Sequence, residues 1–79
     1  MSKKIKQDIS IGMNLQRLRK SASLSQEEVA TKLQLMGLDI SREIISRMEL
    51  GKYSIRVSVL QALKDIYHVS SYDEFFKKE

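Results

Sequence analysis

The sequence contains no cysteine and no proline, and only three of its 79 residues are glycine. Without cysteine, neither a disulfide nor a thiolate metal site can stabilise the fold. The scarcity of turn-forming residues and of alternating apolar and polar side chains argues against a sheet and favours helices. No apolar run is long enough to cross a bilayer, so no contact with a membrane is expected.

The length of the chain allows one small domain rather than two. We predict a basic N-terminal tail over residues 1–9 and a single domain over residues 10–79. The first eight residues, MSKKIKQD, lack the apolar stretch of a signal peptide, which favours a cytoplasmic protein. The net charge of +4 is compatible with a polyanionic partner, but a surplus of this size is common and is weak evidence by itself.

The spacing of apolar residues predicts an all-α fold built from five short helices. In the first helix, Ile11, Leu15, Leu18 and Ala22 recur at three- and four-residue steps and form one apolar stripe. The predicted helices span about residues 10–22, 25–36, 41–50, 56–68 and 71–76.

The clearest helix boundaries lie in the middle of the chain. Ser25 and Glu28 have the spacing of a capping box. Gly37 is expected to stop the second helix in a left-handed conformation. Ser41 is a favourable N-cap for the third helix, which should end at Gly51.

Two central stretches resemble the helix-turn-helix of the Cro and phage-repressor-like (XRE-type) family. They are residues 24–30 (LSQEEVA) and 40–52 (ISREIISRMELGK), and the similarity extends over about residues 10–76. The resemblance implies a compact five-helix repressor-like domain that binds double-stranded DNA. It further implies a sequence-specific transcriptional regulator, most simply a repressor acting as a homodimer. The other matching positions are Ile11, Gly12, Leu15, Leu18 and Arg19 in the first helix and Leu60, Leu63 and Ile66 in the fourth.

The third helix is the candidate recognition helix, because one of its faces is apolar and the other polar. The predicted base contacts are Arg42, Glu43, Ser46 and Arg47. Arginine can donate two hydrogen bonds to guanine, and a glutamate can accept one from cytosine. Arg42 and Arg47 are therefore the strongest candidates, although a solvated helix face would carry similar charges.

The resemblance also assigns residues that hold the DNA backbone and the fold. Gln26, at the start of the second helix, matches the family's phosphate-contacting position, where helix amides favour an anion. Arg19 and Glu49 match a partly buried ion pair between the first and third helices. The remaining candidate phosphate contacts, just past the recognition helix, are Lys52, Tyr53, Ser54 and Arg56.

One departure from the family pattern lies before the recognition helix. Residues 34–39 (QLMGLD) stand where the commonest pattern has little more than a glycine. The turn is therefore expected to be several residues longer, which leaves the docking angle of the recognition helix open.

The aromatic and basic ends of the chain each have two interpretations. Lys3, Lys4 and Lys6 are either solvated or a minor-groove arm. The C-terminal aromatic residues pack in the core, but two adjacent phenylalanines in so short a helix cannot easily both turn inward. The candidate dimer interface is therefore Tyr72, Phe75 and Phe76.

The same aromatic segment leaves a second function open, that of a protein-interaction module. An antitoxin or anti-repressor with this fold would use residues 72–76 to bind a protein partner. Catalysis is not expected, because the single histidine, His68, has no nucleophile at motif spacing and no Gly-rich phosphate loop occurs. His68 also lacks neighbouring metal ligands, so neither a metal nor another cofactor is expected.

Overall fold

The computed structural model describes residues 4–5 and 11–78 of the chain. Its elements follow one another as four α-helices, two very short strands and one 3-10 helix. They are β1 (Lys4–Ile5), α1 (Ile11–Ser21), α2 (Gln26–Leu35), α3 (Arg42–Glu49), β2 (Ile55–Arg56), α4 (Val57–Ile66) and the 3-10 helix (Tyr72–Phe76).

The prediction of five α-helices is wrong for the last segment, which forms a single 3-10 helix of five residues. The segment is too short to offset the cost of nucleating an α-helix, and the tighter 3-10 turn suits such short pieces. Ser71 begins it, with its hydroxyl accepting a hydrogen bond from the Asp73 amide at 3.2 Å. The four longer helices keep the fold in the helical class.

The two strands were not predicted from the sequence. They pair antiparallel, with Lys4 opposite Arg56 and Ile5 opposite Ile55. Two residues are too few to show the alternation by which a strand is recognised in a sequence. The pairing nevertheless brings part of the predicted N-terminal tail to the segment between α3 and α4.

The predicted N-caps of α2 and α3 are confirmed. The Ser25 hydroxyl accepts a hydrogen bond from the Glu28 amide at 3.0 Å, and the Glu28 carboxylate accepts one from the Ser25 amide at 2.8 Å. At α3 the Ser41 hydroxyl accepts a hydrogen bond from the Ile44 amide at 3.3 Å. These side chains satisfy helix amides that have no partner within the helix.

All four α-helices end with one residue in the left-handed region. Gly37 follows α2 with φ of +84°, as predicted, and Gly51, predicted to end α3, follows it with φ of +75°. Ser23 and His68 occupy the equivalent positions after α1 and α4, with φ of +58° and +55°. At each end the backbone makes the two hydrogen bonds of a Schellman motif.

The extended turn, residues 36–41, is anchored to the protein by hydrogen bonds and burial. The Leu38 amide donates to the Leu33 carbonyl at 3.0 Å, and the Gln34 side chain donates to the Ile40 carbonyl at 3.0 Å. Ile40 itself is only 3% exposed. The longer turn therefore has a defined path from α2 to α3.

The core contains most of the apolar residues predicted to be buried, but Ala22, Ile44 and Ile66 are only partly buried. It also contains residues outside the predicted helical stripes. These are Ile40, Ile55, Ala62, Val69 and Phe75.

Candidate DNA-binding interface

Helix α3 is held to the rest of the protein by one apolar stripe. Ile45 and Met48 are 2% and 1% exposed, and α3 packs against both α1 and α2. On the other side, Arg42, Glu43 and Arg47 are exposed. Because the buried stripe fixes the rotation of α3, these three charged side chains point into solvent together.

The predicted base-contacting residues differ in how freely they can be reached. Ser46 is half-buried, whereas the arginines and Glu43 are exposed. The Arg42 guanidinium lies 3.9 Å from the Glu43 carboxylate, and these side chains are 58% and 75% exposed. An exposed pair at that distance contributes little, so both groups can exchange it for a ligand.

The helix also has dimensions that suit DNA. An α-helix with its side chains is about 10–12 Å in diameter, and the major groove of B-form DNA is about 12 Å wide, so a helix exposed on one face, as α3 is, can enter it. With Ser41 capping the N-terminus of α3, Arg42 and Glu43 stand in its first turn. Side chains at this end of a recognition helix are the ones that usually reach the bases.

Arg19 and Glu49, expected to form an ion pair, make a bidentate contact. Their atoms lie 2.6 Å apart between Arg19 Nε and Glu49 Oε2 and 3.1 Å apart between Nη2 and Oε1. The side chains are 10% and 3% exposed. The hydrogen bond to Glu49 raises the pKa of the Arg19 guanidinium, so the arginine remains charged despite its burial. The contact joins α1 to the C-terminal end of α3.

The surroundings of this pair are also buried. Arg19 donates a further hydrogen bond to the Leu24 carbonyl at 2.8 Å. Burial raises the pKa of the Tyr67 phenol, and the negative charge of Glu49 raises it further. Tyr67 therefore stays neutral beside the ion pair throughout the ordinary pH range.

Gln26, expected to contact phosphate, has a structural contact that the sequence did not indicate. Its side-chain nitrogen donates to Glu49 Oε1 at 3.0 Å, and the residue is half-buried. A side-chain amide carries two N–H groups, so this contact occupies one of them. Glu49 thus connects α1 and α2 to α3.

Gly12 allows α1 to approach α3 closely. A Cβ atom at this position would lie 2.5 Å from the Glu49 carbonyl oxygen and 2.7 Å from that of Met48. Both oxygens belong to the backbone and cannot move aside as a flexible side chain would. Sequence reasoning matched Gly12 to the family pattern without finding this role, because the approach involves residues far away in the chain.

The candidate phosphate contacts after α3 are not all equally accessible. Lys52, Ser54 and Arg56 are exposed, whereas Tyr53 is half-buried and packs against the core. Arg56 is the strand partner of Lys4. Lys3 and Lys6, the other members of the predicted arm, lie outside the described residues.

The aromatic surface expected at the C-terminus does not form as predicted. Phe75 is fully buried in the core of its own chain, and Phe76 is half-buried against the same core. The short 3-10 helix packs on α1 in a way that encloses both rings to different degrees. Only Tyr72 is exposed, at 41%, with the Lys64 ammonium 5.3 Å from its ring centroid.

Asn14 is a buried polar residue that the sequence analysis missed. Its side-chain nitrogen donates to the carbonyls of Phe75 at 3.0 Å and Lys77 at 2.8 Å. The residue is 5% exposed, and its oxygen accepts a hydrogen bond from Arg17 at 3.3 Å. Its position on the apolar stripe of α1, three residues after Ile11, was the available signal.

The described part of the chain contains neither a membrane-spanning helix nor a cluster of metal ligands. None of its helices is both long and apolar enough to span a membrane. No group of three or more histidine, cysteine, aspartate or glutamate side chains is placed to bind a metal ion within residues 4–5 and 11–78. His68 is exposed at the end of α4.

The order of the elements and the packing of α2 against α3 define a helix-turn-helix fold with an exposed, polar second helix. Comparison with family models agrees: the helix-turn-helix domain model matches residues 10–74. The chain belongs to this family, consistent with an XRE-type regulator. No curated protein and no solved structure gave a significant match. A domain of this family indicates a DNA-binding regulator, and such domains are typically not enzymes.

Proposed function

We propose that the protein is a sequence-specific transcriptional regulator that places α3 in the major groove of operator DNA. The observation that carries this proposal is the exposure of Arg42, Glu43 and Arg47 on a helix whose opposite face is buried. Charged side chains on a rigid support can be matched to base edges, whereas a helix free to rotate would lose that register.

Each polar residue of α3 has a role in this proposal. Arg42 and Arg47 donate hydrogen bonds to guanine, and Glu43 accepts one from cytosine. Ser46, which is half-buried, makes a shorter contact to a base or to the backbone. Two basic side chains and one acidic side chain favour operator positions rich in G·C pairs.

Phosphate contacts flank the recognition helix in this arrangement. Lys52, Ser54 and Arg56 hold one stretch of backbone from the segment after α3, with Tyr53 supporting the segment from the core side. Gln26 contacts a phosphate with the N–H that does not bind Glu49. These contacts position the protein on DNA but do not discriminate between sequences.

The proposed regulator acts in the cytoplasm as a homodimer and represses transcription by occupying its operator. Repression of this kind requires only that the bound protein block access to the DNA. Recognition helices that contact half-sites one helical turn apart must be about 34 Å apart. The described chain measures 31 × 31 × 22 Å along its principal axes, so two copies side by side are large enough to span that distance.

The proposal predicts that Arg42→Ala combined with Arg47→Ala abolishes specific binding. The operator is first obtained by selecting bound duplexes from a random pool, and affinity is then measured by fluorescence anisotropy. Loss of two bidentate contacts should weaken operator binding at least about 30-fold, since each is worth roughly 1–3 kcal/mol. The affinity for unrelated DNA, which is lower in the wild type to begin with, should fall much less.

A control variant removes the same amount of charge elsewhere. Lys20→Ala combined with Lys78→Ala alters two exposed lysines outside the proposed interface and should retain operator binding within a few-fold. Equal losses in the two double variants would contradict the assigned base contacts. An affinity that does not decrease as salt concentration rises would contradict the proposed grip on DNA itself.

The alternative function, an antitoxin or anti-repressor module, depended on an exposed aromatic segment. With Phe75 buried and Phe76 half-buried, that segment offers only Tyr72 as an exposed aromatic contact. A stoichiometric protein partner that co-purifies with the chain, together with no measurable DNA affinity, would favour this alternative over the regulator.

A further inference from the structure

The most exposed large apolar side chain of the described residues lies at the C-terminal end of α2, the end opposite the proposed phosphate contact Gln26. Leu35 is 83% exposed, and Met36, the next residue, is 50% exposed. They border a shallow groove that separates the C-terminal ends of α2 and α4. We call it the α2–α4 groove; its lining residues are Lys32, Leu35, Met36, Asp65, Ile66 and His68.

Three apolar residues line this groove together and form one apolar patch. Leu35 and Met36 form one wall, and Ile66, which is half-buried, lies across from them on α4. Single exposed apolar residues are common on protein surfaces and need no explanation. A contiguous apolar patch bordered by charged residues is instead characteristic of an interaction site.

The charges that border the groove have opposite signs on its two sides. Lys32 belongs to α2 and Asp65 to α4. Within residues 11–78, no side chain of opposite charge lies within 4.0 Å of either one. Lys32 does act at longer range on Glu28, one turn earlier in α2: the hydrogen bonds with Ser25 lower the pKa of that carboxylate, and the charge of Lys32 lowers it further.

This arrangement is self-complementary under two-fold symmetry. A two-fold axis running along the groove brings α2 of each copy opposite α4 of the other. Lys32 of one copy then faces Asp65 of its partner, and the reciprocal pair forms at the same time. The three apolar residues of each copy meet those of the other in between.

We infer that the α2–α4 groove is the surface through which two copies of this chain associate. The role of this dimer in DNA binding rests on the proposed function, whereas the association of two copies is inferred from the groove itself. The groove carries one positive and one negative side chain besides His68, so it lacks the positive potential that DNA phosphates require. A second copy of the chain would pair both charges and cover the apolar patch.

The groove and the proposed DNA contacts can be used together. Gln26 begins α2, whereas Leu35 ends it nine residues later, a separation of about 13 Å along the helix. The other proposed DNA contacts lie on α3 and in residues 52–56. No residue that lines the groove belongs to α3 or to residues 52–56, so this dimer surface replaces the aromatic interface expected from the sequence without using the proposed DNA contacts.

The first test is sedimentation equilibrium of the full chain over a range of concentrations, without DNA. The wild type should show a reversible monomer–dimer equilibrium. Leu35→Asp should raise the dissociation constant at least about 10-fold, because it removes a buried apolar side chain from the interface. Circular dichroism should show unchanged helix content, since Leu35 contributes little to the core of the monomer.

The second test exchanges the two charges. Lys32→Glu alone and Asp65→Lys alone should each raise the dissociation constant about 3-fold or more, since both symmetry-related pairs become repulsive. The two changes together should restore dimerisation.

Met13→Asp is the matched control for Leu35→Asp. It introduces the same negative charge at another exposed apolar residue, which lies on α1 and is 53% exposed. It should leave the equilibrium unchanged.

The outcomes separate this inference from the proposed function. A wild type that stays monomeric, a dimer unaffected by Leu35→Asp, or a charge exchange that fails to restore association would each overturn the inference. A dimer that dissociates as expected but has no affinity for any duplex would overturn the proposed function alone. Operator binding by a monomer would overturn the inference and the homodimer part of the proposed function, but would leave the role of α3 in DNA recognition standing.

Discussion

At the scale of single residues, Glu49 connects three helices. Its two carboxylate oxygens accept hydrogen bonds from Arg19 on α1 and Gln26 on α2, while the residue itself ends α3. A buried carboxylate is costly to desolvate, and this cost is offset only when its hydrogen bonds are made. Glu49 therefore fixes the relative positions of three helices, while its net contribution to the free energy of unfolding is smaller than its number of hydrogen bonds suggests.

Replacing Glu49 should destabilise the protein severely. Glu49→Ala leaves the buried Arg19 guanidinium without its partner, and removing one member of a buried pair costs about 3–5 kcal/mol. Urea denaturation followed by circular dichroism measures the loss. If the variant is unfolded, Glu49→Leu combined with Arg19→Met, which leaves no unpaired charge, should recover a folded protein.

The exposed ion pair between Arg17 and Glu74 provides the control. These groups are 3.6 Å apart, with side chains 46% and 32% exposed. Glu74→Ala should cost less than about 1 kcal/mol, as is usual for pairs at the surface. A comparable loss in Glu74→Ala and Glu49→Ala would contradict the role given to the buried pair.

At the scale of elements, the four α-helices end in the same backbone conformation although the residues at these ends differ. Glycine occupies the left-handed position after α2 and α3, where it adopts φ above zero without a steric cost. Ser23 and His68 adopt the same conformation after α1 and α4 despite their Cβ atoms. The hydrogen bonds that close each helix therefore override the local preference of the residue.

Ser23→Gly should stabilise the protein by about 0.5–1 kcal/mol, because it relieves the left-handed strain at a cost in chain entropy. Thermal and urea denaturation would show the gain. Ser21→Gly, two residues earlier at the last position of α1, should instead destabilise the protein slightly, since glycine is a poor helix former. Stabilisation by both changes, or by neither, would contradict this account of the helix end.

At the scale of the whole molecule, the C-terminal segment is fastened to the first helix. Asn14 donates to the carbonyls of Phe75 and Lys77, and Arg17 donates to that of Glu74 at 3.3 Å. Phe75 enters the core next to these contacts. Residues separated by about sixty positions in the chain thereby complete one core.

Asn14→Leu should loosen this closure. It leaves two carbonyls without their donor, which costs about 1–3 kcal/mol where the groups are buried. Hydrogen exchange should accelerate across residues 72–77 more than in α2 or α3. Gln16→Leu, an exposed position on the same helix, is the control and should leave exchange in that segment unchanged.

The sequence predicted the helices better than their connections. Ser25 and Ser41 could be recognised as caps because their partners lie three residues away. The strand pair of Ile5 with Ile55 joins residues fifty positions apart and leaves no local pattern. The 3-10 helix was taken for an α-helix because apolar spacing alone does not separate the two over five residues.

The candidate site divides in a similar way. The polar face of α3 follows from the sequence, because a helix with Ile45 and Met48 on one side must present Arg42 and Arg47 elsewhere. The burial of Phe75 does not follow from the sequence, since local patterns do not distinguish burial of Phe75 from burial of the adjacent Phe76. Which ring enters the core depends on the space that α1 leaves at the end of the domain.

By itself, the sequence determined the helical class, the caps of α2 and α3 and the amphipathic character of α3. Each of these depends on interactions within one or two turns, where residue type and spacing suffice. Only the tertiary structure decided that Gly12 allows α1 to approach α3, that Gln26 also binds Glu49, and that Leu35 is the most exposed large apolar side chain of the described residues. These features arise where distant segments meet, and their energies depend on distances that a linear order of residues does not contain.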